Sequence, residues 1–134
     1  MASFRVLIVD NFEPWRRFIA RFLGEYPEWQ IVGEAWDGLE GVQKSVELQP
    51  DLILLDLGLP KLNGIDAARK IRNIAPKSRI LFVSENRCPE LVQEALATGA
   101  YGYVVKSDAP FDLLPAMQAV VSDKRFVGNR FADL

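Results

Sequence analysis

The chain has 134 residues, of which 49% are hydrophobic and 25% charged, a composition typical of one globular domain rather than a disordered segment. Its formal net charge of -2 gives the domain no electrostatic attraction for nucleic acid. It contains no histidine, which excludes histidine-based catalysis and histidine-bound metals, so any metal would be a hard cation on oxygen ligands.

The cysteine content and the distribution of apolar residues indicate a cellular compartment. Cys88 is the single cysteine, which excludes an internal disulfide, and we find no signal-peptide pattern. No apolar run approaches the roughly 20 residues that a membrane span needs. These features predict a cytoplasmic protein without a membrane partner.

Five short apolar runs alternate with segments of helical periodicity. The predicted strands comprise residues 4–9, 30–35, 52–55, 80–83 and 102–105. Between them, apolar residues recur at helical spacing, and Pro14 and Pro89 suit first helical turns. The residues predicted to face the sheet include Trp15, Phe18, Ile19, Phe22, Leu23, Leu39, Val42, Val46, Ile65, Ala68, Ile71 and Ile74.

The end of the chain is less regular. Pro115 is expected in the first turn of the last helix, or to delay its start. Residues 125–134 show no strong pattern, so we assign residues 1–124 to one domain and the remainder to a fraying tail or the start of a linker.

Strict alternation of strand and helix predicts an α/β fold with a parallel sheet covered on both faces. In such sheets, ligands bind at the carboxyl ends of the strands. The residues at or just after those ends are Asp10, Asn11, Asp56, Ser84 and Lys106. Two carboxylates, an amide, a hydroxyl and an ammonium are therefore expected at one edge.

These residue types suit phosphoryl chemistry. Asp10 and Asp56 repel each other when both are ionised unless a cation lies between them, and Mg²⁺ needs only two or three protein oxygens. A carboxylate can also act as the nucleophile that forms an aspartyl phosphate. The metal, Lys106 and Ser84 could then stabilise the transferring oxygens.

The motifs "VLIVDN", "DLILLDLGLPKLNG", "ILFVS" and "GAYGYVVK" occur in an order and spacing that resembles the receiver domain of two-component response regulators. The resemblance runs from residue 4 to residue 121. It implies a doubly wound (βα)5 fold with five parallel strands in the flavodoxin-like order 2-1-3-4-5. The form "GAYGYVVKSDA" is similar to receivers attached to helix-turn-helix regulators of the nitrate-response type.

The resemblance implies a role for each strand-end residue. Asp56 matches the phosphoacceptor. Asp10 and Asn11 match the acidic pair that binds Mg²⁺, and Gly58 would add its backbone carbonyl as a ligand. Gly64 fits the turn that follows, where a permissive backbone is expected.

The remaining matches concern the response to phosphorylation. Lys106 matches the lysine that pairs with the phosphoryl group. Ser84 matches the hydroxyl that swings toward it, and Tyr103 matches the aromatic that becomes buried afterwards.

Asn11 and the Lys106–Ser107 pair depart from the family pattern. Asn11 replaces the second acid, whose charge at about 4 Å and an effective dielectric near 20 would be worth roughly 4 kcal/mol before screening. An amide oxygen can still coordinate Mg²⁺, so the metal should bind more weakly. Many receivers have a cis proline where this chain has Ser107.

The resemblance implies a signalling domain rather than an enzyme, with self-catalysed phosphoryl uptake and loss only. Its partners would be a sensor histidine kinase or a phosphotransfer protein, with a homodimer forming on phosphorylation. A missing output domain would regulate transcription, and the receiver itself would bind no nucleic acid.

Other classes of function remain open at the level of sequence. A pseudo-receiver that mediates protein interactions without phosphate is supported by Asn11. A phosphohydrolase with an aspartate nucleophile would need a second carboxylate after Asp56, where the sequence has Leu57 and Gly58. A flavin-binding protein would need a phosphate loop after the first strand, where residues 11–14 are acidic and bulky.

Overall fold

The computed structural model describes residues 3–134 as one sheet with helices on both faces. The strands are β1 (Phe4–Val9), β2 (Trp29–Ala35), β3 (Leu52–Leu55), β4 (Arg79–Ser84), β5 (Gly102–Val105) and β6 (Phe126–Val127). The helices are α1 (Glu13–Leu23), α2 (Gly38–Leu48), α3 (Gly64–Ile74), α4 (Pro89–Ala97) and α5 (Ala109–Val121). No helix within these residues is both long and apolar enough to cross a membrane.

All strand pairs are parallel, in the order β2-β1-β3-β4-β5-β6. This confirms the predicted order of the first five strands and adds a sixth. One apolar core lies between the sheet and α1 and α5, and the other lies beneath α2, α3 and α4. The central strand β3, with the sequence LILL, is buried on both faces, which explains its unbroken hydrophobicity.

Helices α2 and α3 each begin with a side-chain cap. The Asp37 side chain accepts a hydrogen bond from the Glu40 amide at 2.8 Å, and the Asn63 side chain accepts one from the Asp66 amide at 2.9 Å. Each cap satisfies a backbone donor that the first helical turn would otherwise leave unpaired.

The buried face of α2 differs from the predicted one. Leu39 and Val46 are exposed, and the buried residues are Gly38, Gly41 and Ser45. A Cβ at Gly41 would lie 2.8 Å from the side chain of Val9, so this helix approaches the sheet through its small residues. Of the three residues of α2 predicted to face the sheet, only Val42 packs against the core, so apolar periodicity was right for one of them and wrong for two.

The inner faces of α1 and α3 were predicted mostly correctly. Ile19 and Leu23 of α1 are buried, whereas Phe18 is exposed and packs along the helix against Trp15 and Phe22. On α3, only Ile74 among the predicted inward residues is exposed.

The C-terminal residues are ordered against the sheet, so the prediction of a fraying tail was wrong. β6 pairs with β5 through the registers Gly102–Phe126 and Tyr103–Val127. Phe131 is buried edge-on against Tyr103, with ring centroids 5.9 Å apart. Pro115 lies inside α5, which already begins at Ala109, so neither expectation for this proline was correct.

Candidate acidic site at the carboxyl edge

The fold brings the predicted strand-end residues to one edge of the sheet. Asp10 follows β1, Asp56 follows β3, Ser84 ends β4 and Lys106 follows β5. Asp10 and Ser84 are buried, and the side chains of Asp56 and Lys106 are only 12% and 10% exposed. The parallel topology of the central strands is what places these distant residues together.

The Lys106 ammonium joins the two carboxylates. Its Nζ lies 2.7 Å from Asp10 Oδ2 and 3.7 Å from Asp56 Oδ2. The shorter contact is to Asp10, not to the predicted phosphoacceptor. Because all three groups are largely withdrawn from solvent, their interactions are screened much less than those of surface ion pairs.

Asp10 is held from two directions. Its Oδ1 accepts a hydrogen bond from the Phe12 amide at 2.8 Å, and its backbone carbonyl accepts one from Arg16 Nη1 at 2.7 Å. Arg16 also donates from Nε to Glu34 at 3.1 Å and lies over the ring of Trp36. A buried arginine therefore ties α1 and β2 to the point where β1 ends.

Asp56 lies in an environment that opposes its ionisation. Burial raises the pKa of its carboxyl above the ordinary value of 3.8, and the neighbouring Asp10 charge raises it further, against the opposing effect of Lys106. Oδ1 of Asp56 accepts a hydrogen bond from the Leu57 amide at 2.8 Å. The site therefore holds excess negative charge that a cation would relieve.

This shift gives a dependence of stability on pH. An acid with a raised pKa binds its proton more readily in the folded state, so ionised Asp56 destabilises the fold at neutral pH. We expect Asp56→Asn to increase the free energy of unfolding at neutral pH, measured by denaturant titration with a chelator present. The gain should shrink as the pH falls through the raised pKa toward 3.8.

The exposed Asp133→Asn variant is the control for the general effect of removing one carboxylate. A gain for Asp56→Asn that stays constant or grows at lower pH would contradict the direction of the shift.

The oxygen donors at this edge suit a hard cation. Asn11 and Gly58 are exposed and line the same cavity as Asp56, which is open and has a volume of about 950 Å³. Two carboxylates, one amide and one backbone carbonyl form a donor set of the kind that Mg²⁺ takes. Within residues 3–134, however, no group of three or more acidic, histidine or cysteine side chains is placed to hold a metal.

Ser84 and Tyr103 are linked through a residue that we did not predict from the sequence. The backbone amide of Asn86 donates to Ser84 Oγ at 3.2 Å, and the backbone carbonyl of Asn86 accepts a hydrogen bond from the Tyr103 hydroxyl at 2.8 Å. Tyr103 is fully buried, and burial raises its pKa to about 12, so its hydroxyl remains a donor at neutral pH. We expected Tyr103 to become buried on phosphorylation, but it is already buried here.

Sequence reasoning also missed Arg16 and Trp15 as site residues. The centroid of the Trp15 ring lies 5.1 Å from Lys106 Nζ. Arg16 gave no signal, because a polar residue between apolar helix positions is normally exposed, and Trp15 was predicted only as a core residue. Both contacts depend on the angle at which α1 leaves β1.

The fold and this edge define a flavodoxin-like α/β protein with paired carboxylates and a lysine where its central strands end. The family model described as the response regulator receiver domain matches residues 6–118. The chain therefore belongs to the response regulator receiver domain family.

The relatives include a nitrate/nitrite response regulator and a chemotaxis protein. The nitrate/nitrite response regulator protein NarL of Escherichia coli (strain K12) is 37% identical over 112 residues, which cover 84% of this chain and 52% of NarL. The chemotaxis protein CheY of Thermotoga maritima is 34% identical over 116 residues, which cover 87% of this chain and 96% of CheY.

A solved structure agrees closely with the fold. The crystal structure of a LuxR-family two-component response regulator from Aurantimonas sp. SI85-9A1 superposes with a TM-score of 0.93 at 31% identity, covering 98% of this chain and 94% of that one. The chain spans between 52% and 60% of the length of four relatives, which are NarL, a response regulator GacA, the transcriptional activator protein ExaE and the transcriptional regulatory protein LiaR.

Proposed function

We propose that this receiver domain accepts a phosphoryl group on Asp56 in a Mg²⁺-dependent reaction. The observation that carries the proposal is the buried grouping of Asp10, Asp56 and Lys106, with Lys106 Nζ 2.7 Å and 3.7 Å from the two carboxylates, beside an open cavity. The donor would be a phosphohistidine of a sensor kinase or of a phosphotransfer protein.

In the reaction, a carboxylate oxygen of Asp56 attacks phosphorus. A P–O bond forms as the P–N bond of the donor breaks, and the leaving imidazole takes up a proton. Asp10, Asn11, Asp56 and the Gly58 carbonyl would hold Mg²⁺, which when bound supplies positive charge to the transferring oxygens. Lys106, whose ammonium contacts both carboxylates, supplies further positive charge.

The hydrogen bonds of Asn86 supply a route from the site to the surface. Ser84 Oγ accepts a hydrogen bond from the Asn86 backbone amide, so a movement of this hydroxyl toward a new phosphoryl group would weaken or break that bond. Asn86 also accepts from Tyr103, and Phe131 packs on that ring, so the change would reach the C-terminal residues. This would be a local change in charge that biases how Tyr103 and Phe131 pack.

The output would be regulation of transcription in the cytoplasm through a further domain, because several relatives are transcriptional regulators of about twice this length. The switched surface would bind a partner or a second copy of the chain. The domain acts as a signalling switch, not as an enzyme on an external substrate.

Two observations favour a second candidate, a pseudo-receiver that binds partners without phosphorylation. Asn11 removes one carboxylate from the acidic pair, and Lys106 already forms a close ion pair with Asp10. A lysine that neutralises Asp10 in this way would lower the affinity for a divalent cation.

Intact-mass spectrometry in acetyl phosphate and Mg²⁺ decides between the two candidates. We expect the native protein to gain one phosphoryl group and Asp56→Asn to gain none. A mass that stays unchanged in the native protein but increases in Asn11→Asp would support the pseudo-receiver. An identical gain in the Asp56→Asn variant would show that Asp56 is not the acceptor.

A further inference from the structure

We propose that Trp15 is a positioning residue for Lys106, holding the ammonium at the acidic edge and thereby accelerating phosphoryl uptake. This inference rests on the proposed function of the site. The Lys106 Nζ lies 5.1 Å from the centroid of the Trp15 ring and 2.7 Å from Asp10. The face of an indole attracts a cation most strongly among the aromatic side chains.

The ring lies against an ammonium that is largely withdrawn from water. The Lys106 side chain is 10% exposed, with carboxylates within 2.7 Å and 3.7 Å and the indole as its third neighbour. A desolvated cation loses its hydration, and an aromatic face replaces part of that interaction without offering a competing carboxylate. A charge held in position in such a site stabilises the transition state more strongly than the same charge does in water.

Trp15 is itself held in place by its surroundings. Its amide donates to the Phe12 carbonyl at 3.0 Å in the first turn of α1, beside Pro14. Its ring is half-buried against the core beneath α1 and α5 and packs on Phe18 with centroids 5.1 Å apart. A ring fixed in this way can restrict where a flexible lysine places its charge.

The simpler reading is that Trp15 is a core aromatic that happens to lie near Lys106. The two readings differ in one respect. A positioning residue acts only through Lys106, so its removal should have no further effect on the rate once Lys106 is neutral. A purely structural residue would impair the protein whether or not the lysine is charged.

The test is a double-mutant cycle on the initial rate of uptake from acetyl phosphate in saturating Mg²⁺. We expect Trp15→Leu to reduce the rate about 5- to 30-fold, the range that corresponds to a desolvated cation–aromatic contact, and Trp15→Phe to retain most of it. In the Lys106→Met background, Trp15→Leu should cause no further loss. Phe22→Leu is the matched control, because it removes an aromatic of α1 that packs on Phe18 and Tyr26 without touching Lys106, and it should leave the rate unchanged.

A second readout does not depend on phosphorylation. In the unmodified protein, the ring current of Trp15 should move the Lys106 ε-methylene protons upfield of the other lysines, with the resonance assigned by its loss in Lys106→Met. Trp15→Leu should abolish the shift, and Phe22→Leu should preserve it.

The outcomes separate the two proposals. Equal losses on Trp15→Leu in the native and Lys106→Met backgrounds, or an upfield shift that survives Trp15→Leu, would overturn the positioning role. A native protein that takes up no phosphoryl group would contradict the proposed function instead, and the ε-methylene shift would still decide whether Trp15 holds the ammonium.

Discussion

Asn11→Asp should lower the Mg²⁺ concentration needed for half-maximal phosphorylation of Asp56 by about tenfold. A second carboxylate beside Asp10 adds one negative charge to the donor set, and roughly 4 kcal/mol is the Coulomb energy of two unit charges 4 Å apart at an effective dielectric of 20. Because Asn11 is exposed, solvent and salt screen most of that interaction. A remaining 1.4 kcal/mol or so corresponds to the tenfold change.

The control for this prediction is Asn11→Ala, which removes the amide oxygen without adding a charge. It should raise the required Mg²⁺ concentration if the amide is a ligand. Both variants should leave the site of modification at Asp56. If native protein, Asn11→Asp and Asn11→Ala all show the same Mg²⁺ dependence, residue 11 is not part of the metal site.

Much of the site could be predicted from the sequence because its residues follow strands. The hydrophobic runs located the strands, and parallel topology then placed Asp10, Asp56, Ser84 and Lys106 at a common edge without further information. The sequence could not supply the distances, and the closer pairing of Lys106 with Asp10 than with Asp56 appears only in the structure.

The errors in α2 and β6 both arise from contacts between distant parts of the chain, which a local sequence pattern does not contain. Apolar periodicity assumes that large apolar residues face the sheet, but α2 packs through Gly38, Gly41 and Ser45 because small residues permit a closer approach. β6 was missed because its two residues form a strand only by pairing with β5, a contact that local pattern does not encode.

Gly64 illustrates a residue that was predicted to be special for the wrong reason. We expected a backbone conformation that only glycine adopts easily, but the φ angle of Gly64 is not positive. What the structure requires is space. A Cβ on Gly64 would lie 2.0 Å from the Asp56 carbonyl oxygen and 2.7 Å from Leu57 Cα.

Gly64→Ala should therefore reduce the free energy of unfolding by about 3 kcal/mol, the upper part of the usual range for overpacking, because the obstructing atoms belong to the backbone and cannot rotate away. Helix propensity alone would predict the opposite sign, since alanine is favoured over glycine in helices by up to about 1 kcal/mol. The substitution should also displace the backbone of Asp56, because the new Cβ would meet the Asp56 carbonyl oxygen. The Gly64 amide donates to the Leu57 carbonyl at 2.8 Å, so a shift of Gly64 would also disturb the residue next to Asp56. Denaturant titration measures the first effect, and the rate of phosphoryl uptake measures the second.

Gly58→Ala is the matched control, because Gly58 lies in the loop that leads to Gly64 and an added Cβ there would meet nothing within 4 Å. We expect its free energy of unfolding to stay within about 0.5 kcal/mol of the native value. If Gly64→Ala were as stable as Gly58→Ala, the connection between β3 and α3 would have to move at little cost. Asp56 would then lie on a compliant loop, and the close contact that fixes its backbone could not be what orients its carboxylate toward Asp10 and Lys106.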